Sequence, residues 1–283
     1  LMTIKHINNL YKLPNNNVQI TFSGGRTSAY MLYKILENNN GLPKNAVVTF
    51  ANTGREMPQT LDFVHNCSEK WNVSITWLEY DRPLNKKVTY KIVNRKSASE
   101  NGEPFELLIK SRGNYLPNVV RRFCTSELKV LTLKRFLVKE LKWKKWVQAV
   151  GIRADERHRI KTKELDNRWS SWYPLSDNNI TKNDISEFWK KQNFDLKLPN
   201  INGFCPQGNC DFCFLKSEHT LAFMTREYPE KLKWWIGMED LSPRNFGRKT
   251  DFKTFAKDIE LQKDWVFNQE GYFCQKDEGE CTG

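Results

Sequence analysis

The stretch NGFCPQGNCDFCFLKS, residues 202–217, places Cys205, Cys210 and Cys213 in a C-x4-C-x2-C pattern. Thiolates at this spacing are the ligand type of structural zinc and of iron–sulfur clusters, and both take four ligands. Three thiols leave the set one short. A second candidate centre lies near the start, in ITFSGGRTSAYM, residues 20–31. There Ser23, Gly24 and Gly25 stand directly after a β-rich run and directly before a helical one. Glycines allow a tight turn and close backbone approach, so successive N–H groups and the positive end of the helix can face a phosphate. Ser23, Thr27 and Ser28 add hydroxyl donors, and Arg26 adds charge. A bare SGG is also an ordinary strand–helix turn, so its meaning depends on what surrounds it.

The surrounding elements alternate. VQITF (18–22), NAVVTFANTG (45–54), VSITWLEY (73–80) and WVQAVGIR (146–153) read as buried strands. Between them, TSAYMLYKILENNNG (27–41) has apolar residues at helical spacing and Gly41 past its end, and PQTLDFVHNCSEKW (58–71) has Pro58 near its start. Strand–helix alternation of this kind predicts a parallel α/β sheet. Residues 82–120 are polar and read as an insertion or lid. TSELKVLTLKRFLVKEL (125–141) is an amphipathic helix, and TKNDISEFWKKQN (181–193) is a helix with Thr181 as N-cap and Asp184 completing a capping box. A further helix is expected over 217–228. The expected division is an α/β domain over residues 1–200 and a cysteine-rich extension over 201–283.

Composition bounds the partners. The 283 residues are 39% hydrophobic with 10 Trp, enough for a substantial core. No apolar run is long enough to span a membrane, and the first residues lack the apolar segment of a signal peptide. The expected location is cytoplasmic, where a C-x2-C binds metal or does redox chemistry more readily than it forms a structural disulfide. A net charge of +12 favours anionic partners, nucleic acid among them, or describes a lysine-rich solvated surface. The segment LKVLTLKRFLVKELKWKKW interleaves Lys and Trp, as a backbone-binding surface does. It also fits an amphipathic helix lying on a sheet.

Five ordered segments resemble the phosphoadenosine phosphosulfate (PAPS) reductase family, within the PP-loop group of adenine nucleotide α-hydrolase-like folds. SGGRTSAYM is similar to the family's S-G-G-x-D/T-S loop, VVTFANTGREMPQTLDFV to its F-x-N-T-G-x-E-x-P-x-T segment, and RRFCTSELKV to its R-x-C-x-x-x-L-K segment. GIRADERHR resembles G-x-R-x-x-E-S, with Arg157 where Ser is usual. WYPLSDNNITKNDISEFW is a looser match to P-L-x-x-W-x-x-x-D-I/V. The resemblance implies a five-stranded, mostly parallel sheet flanked by helices, with a nucleotide across the C-terminal strand ends. It implies Ser23, Gly24, Gly25, Arg26, Thr27 and Ser28 on the phosphates, Asn52, Thr53, Gly54 and Glu56 beside the adenosine, and Gly151, Arg153 and Arg157 at the fourth strand's end. Guanidinium forks there would hold sulfate or phosphate oxygens.

The resemblance also supplies a fourth thiol. Iron–sulfur-containing relatives bind a [4Fe–4S] cluster through the R-x-C segment and a later C-x2-C, which here implies Cys124 with Cys205, Cys210 and Cys213. Zinc is the alternative occupant of the same quartet. Relatives without a cluster carry a nucleophilic cysteine in a C-terminal tail, and the tail DEGECTG offers Cys281. The expected function is thiol-dependent reduction or sulfur transfer on PAPS or adenylyl sulfate (APS), with a thioredoxin-like thiol reductant or a sulfur donor as partner. The alternatives are an ATP-dependent enzyme that transfers sulfur to DNA or tRNA, against which Thr27 stands where ATP-cleaving relatives carry Asp, and a non-catalytic nucleotide sensor. Homo-oligomerisation is left open.

Overall fold

The computed structural model describes residues 11–160, 166–200 and 205–261. The chain begins with β1 (Val18–Phe22), α1 (Arg26–Asn39), β2 (Ala46–Asn52), α2 (Pro58–Lys70), β3 (Ile75–Asp81), β4 (Thr89–Val93) and α3 (Glu103–Ser111). A π-helix, Thr125–Leu131, runs into α4 (Thr132–Lys139). β5 (Trp146–Ala149), a 3-10 helix (Ala154–Arg159), β6 (Trp169–Trp172), α5 (Pro174–Asp177) and α6 (Lys182–Lys190) follow. α7 (Glu218–Glu227), α8 (Pro229–Asp240) and α9 (Phe252–Leu261) complete the described part. No helix among the described residues is long and apolar enough to cross a membrane.

The strands form one sheet in the order β4-β3-β2-β1-β5-β6, with β4 antiparallel and the other pairings parallel. The α/β class and the mostly parallel sheet are as the sequence predicts, but the sheet has six strands and not five. β4 lies inside the segment read as an insertion or lid. It is an edge strand with Lys91 and Ile92 turned to solvent, so it carries no buried apolar run. β6 is only WSSW, too short and polar for a periodic signal. The same 82–120 segment also supplies α3, whose Phe105, Leu108 and Ile109 are buried in the core.

β1 sits in the middle with neighbours on both sides, and Val18, Ile20 and Phe22 are fully or almost fully buried. A buried polar ladder crosses the three central strands. Gln148 donates to Gln19 at 3.1 Å, and Gln19 donates to Thr49 at 3.0 Å. The helix expected over 125–141 is present, with a π-helical start where the Thr132 hydroxyl donates to the Glu127 carbonyl. Its apolar stripe, Val130, Leu133, Phe136 and Leu137, packs on Leu78, Trp146 and Trp169. Trp146 is therefore a core residue, and the stripe faces the sheet. The capping box of α6 is formed, with the Thr181 N–H and hydroxyl donating to Asp184 at 2.8 and 2.6 Å. One apolar cluster runs from β1 and β2 through α1 and α2 to Phe212, Leu221, Trp235 and Phe252, so the segment after 205 shares the core of the sheet.

The chain fills the sheet from β1 through β2 and β3 to β4, then returns to the opposite side of β1 for β5 and β6. The order reverses between β1 and β5. In open α/β sheets, a crevice opens beyond the carboxyl ends of the strands at such a reversal, and ligands bind there.

Candidate nucleotide site

The SGG loop leaves β1 at that crevice. Gly24 has φ +84°, a left-handed conformation that L side chains rarely adopt, and a Cβ there would come within 2.6 Å of Thr60 Cγ2. Gly25 caps α1. Ser28 holds the loop closed. Its Oγ accepts the Ser23 N–H at 3.1 Å, lies 3.0 Å from Ser23 Oγ and donates to the Gly25 carbonyl at 3.0 Å. Gly151, beyond β5, faces this turn, and a Cβ on it would sit 3.4 Å from Ser28 Cα. Two residues on, the Arg153 guanidinium is 5% exposed and donates to Thr27 Oγ1 at 3.2 Å. It is balanced by Asp155 at 3.1 Å and Glu156 at 3.5 Å. A hydroxyl and a guanidinium from opposite sides of the reversal thus meet at the N-terminus of α1.

The loop after β2 forms the adjoining wall. Asn52 donates to Glu79 at 2.7 Å and to the Ser99 carbonyl at 2.9 Å, while its Oδ1 accepts the Gly54 N–H at 3.1 Å. Gly54 has φ +80°, and a Cβ there would meet Pro104 at 2.9 Å. Thr53 donates its N–H and its hydroxyl to Glu56 at 2.9 Å. Burial pushes the Glu56 carboxyl up, against the pull of Lys129 and the Thr53 bonds.

The other predicted residues are placed as follows. The Arg26 guanidinium grips Asp195 with two bonds of 2.7 and 2.9 Å and the Leu196 carbonyl at 2.6 Å, tying α1 to the loop after α6. Arg157 donates to Ser176 and Asn179, fastening the 3-10 helix to α5. Cys281 lies outside the described residues.

The cysteine loop docks on the wall after β2. Cys210 forms a β-bridge with Glu56, and its sulfur lies 3.4 Å from Thr53 Oγ1. Beside it, Arg55 and Asp211 make a buried ion pair, their side chains 4% and 1% exposed, which Trp235 joins through an indole bond of 2.8 Å to Asp211. Lys216 is half-buried, donates to the Pro206 and Gly208 carbonyls at 2.6 Å, and places its charge beside Cys205, Cys210 and Cys213. Burial lowers its pKa. Burial likewise pushes the Cys210 thiol up, with the Glu56 carboxylate adding to the effect. Burial raises Cys205 too, opposed by Lys216, Arg26 and the backbone of Gln207 and Gly208; the Gly208 N–H donates to the Cys205 carbonyl at 3.0 Å. Gln207 is fully buried, and neither end of its amide has a partner among the described residues. Cys124 precedes the π-helix that carries Lys129. Among the described residues, no three His, Cys, Asp or Glu side chains converge on a preformed metal site.

Sequence reasoning missed Arg55, Glu79, Asp211 and Lys216. A charge flanked by apolar or cysteine residues, as at Glu79 in WLEY and Asp211 in CDFC, is the one trace that any of them leaves.

The sheet order, the glycine turn and the polar groups meeting at the strand reversal define a mononucleotide-binding α/β protein. Residues 17–198 match the phosphoadenosine phosphosulfate reductase domain, and the chain belongs to that family. It is 30% identical over 213 residues to the uncharacterized nin region protein ORF290 of Escherichia phage lambda, covering 74% of this chain and 69% of that protein. A crystal structure of phosphoadenylyl-sulfate (PAPS) reductase from Candida auris, as a phosphate complex, aligns with 63% of this chain and 73% of its own at 19% identity, with a TM-score of 0.39.

Proposed function

We propose that this chain binds PAPS or APS at the β1/β5 reversal and passes the sulfo group to a thiol. The observation that carries this reading is Arg153 reaching from the end of β5 to Thr27 in the first turn of α1, beside the SGG turn. Ser23, Gly24, Gly25, Thr27 and Ser28 present hydroxyls and N–H groups to the phosphates, and Asn52, Thr53, Gly54 and Glu56 form the wall for the adenosine. Arg153 neutralises charge on the leaving nucleotide. Arg26 and Arg157, held by Asp195 and by α5, position the loops.

In the proposed step a thiolate, for which Cys281 is the candidate, bonds to the sulfo sulfur. The bond from sulfur to the phosphate oxygen breaks, and the nucleotide leaves with the electron pair. A dithiol reductant then attacks the enzyme S-sulfonate, releases sulfite and is oxidised to its disulfide. Calorimetric titration with PAPS, APS and ATP, together with a sulfite assay, tests this reading. A sulfated nucleotide should bind at least tenfold more tightly than ATP, Arg153→Ala should weaken it by about tenfold for one lost charge-assisted bond, and Cys281→Ser should stop sulfite release. Preference for ATP, or full release by the Cys281 variant, overturns it.

We further propose that Cys124, Cys205, Cys210 and Cys213 hold a [4Fe–4S] cluster. Two features support this: the Lys216 charge beside three of the thiols, and the buried Gln207 amide, which has no partner among the described residues. With four thiolate ligands such a cluster supplies structure and electrostatic field, because no iron site is left open for substrate. Iron and acid-labile sulfide in anaerobically purified protein are expected, and a colourless protein carrying zinc overturns the assignment.

A further inference from the structure

The loop between α3 and the π-helix, up to Phe123, takes no part in the nucleotide site or in the proposed cluster ligation. It walls a groove of about 540 Å3 lined by Arg112, Tyr115, Arg121, Arg122, Phe123 and Ser126. Arg112 pairs with Glu127 at 3.0 Å and lies 4.6 Å from the centre of the Phe123 ring. Arg121 and Arg122 are exposed, and neither has a carboxylate partner among the described residues. The Tyr115 and Phe123 rings are half-buried, 6.1 Å apart and inclined by 32°. Val119 and Val120 stand 55% and 87% exposed beside Arg121.

The loop is firmly built. Asn118 Oδ1 accepts the N–H groups of Val120 and Arg121 at 3.0 and 2.9 Å, and Leu116 and Pro117 anchor the turn in the core. Gly247 backs it so closely that a Cβ there would be 2.7 Å from Asn118 Cβ. The backbone that carries the guanidiniums and apolar side chains is therefore held in one turn.

Unpaired guanidinium forks suit phosphate oxygens, and ring faces with exposed apolar side chains suit flat bases. An acidic peptide offers the charge without the flat faces, and a duplex keeps its bases stacked inside. We infer that this groove binds single-stranded nucleic acid, with the phosphodiester on Arg121 and Arg122 and a base against Tyr115 and Phe123. The inference goes beyond the reductase reading and does not depend on it. A strand in the groove would lie along the segment leading directly into Cys124.

Fluorescence anisotropy with a short labelled oligothymidylate and the intact chain tests this at low salt. The single strand should bind more tightly than a duplex, and polyglutamate at equal charge should not displace it. The Arg121→Glu/Arg122→Glu variant should bind at least tenfold more weakly, and its log–log salt slope should fall by roughly 1.4 for two lost phosphate contacts on a single strand. Tyr115→Ala, read beside its circular dichroism, should weaken binding roughly fivefold or more through lost stacking. No binding at low salt, unchanged affinity in the double variant, equal affinity for duplex, or displacement by polyglutamate each overturns the inference.

Discussion

Arg153 and Arg55 look alike in the sequence, each following a β-strand, yet they do different work. Arg153 keeps one edge of its guanidinium on Thr27 at the mouth of the crevice, whereas Arg55 is spent on Asp211 inside the protein. Glu239 shows the same dependence on surroundings. At the end of α8 it accepts the N–H groups of Phe246 and Phe252 at 3.1 and 2.6 Å, and it is 9% exposed. Burial raises its pKa above the usual 4.5 despite those two bonds. A carboxyl with a raised folded pKa binds its proton more tightly in the folded state. Its favourable contribution is therefore complete below the unfolded pKa and is lost as pH rises through the folded value. Thermal denaturation of the natural chain and of Glu239→Gln should show their difference in Tm largest near pH 4 and narrowing as pH rises. A constant difference would show that the carboxyl does not titrate in that window.

At the scale of the element, strong local signals were legible and weak ones were not. The Thr181 to Asp184 box was visible in the sequence because its two side chains bond to a backbone four residues long. Thr181→Ala removes a cap and should lower stability by about 1 kcal/mol in chemical denaturation. No change would mean that α6 is held by Ile185 and Trp189 alone. The four buried parallel strands could be read because both their faces are covered, which demands apolar runs. β4 and β6 could not, because an edge strand needs one apolar face at most and a four-residue strand has no room for a period. The SGG turn and its partners Gly151 and Arg153 were legible through family motifs. The Arg55–Asp211 clamp depends on residues 156 positions apart finding each other, which no local pattern encodes.

Across the whole molecule, the Arg55–Asp211 pair fastens the cysteine loop to the wall after β2. Breaking one partner of a buried pair leaves an uncompensated charge, at a cost of about 3–5 kcal/mol, whereas replacing both by apolar residues is often close to neutral. Asp211→Asn should therefore be strongly destabilised in urea, and Arg55→Met/Asp211→Leu should recover most of the loss. If the double variant is as unstable as the single one, the pair is required for more than charge balance. The strand order has a further consequence, for the moment of synthesis. β1 is made early but gains its second neighbour only when residues 146–149 emerge from the ribosome. For much of translation the central strand of the finished sheet is an open edge, able to pair with any extended chain nearby. Late closure of β5 makes the nascent protein most vulnerable to aggregation at the strand that later lies deepest inside it.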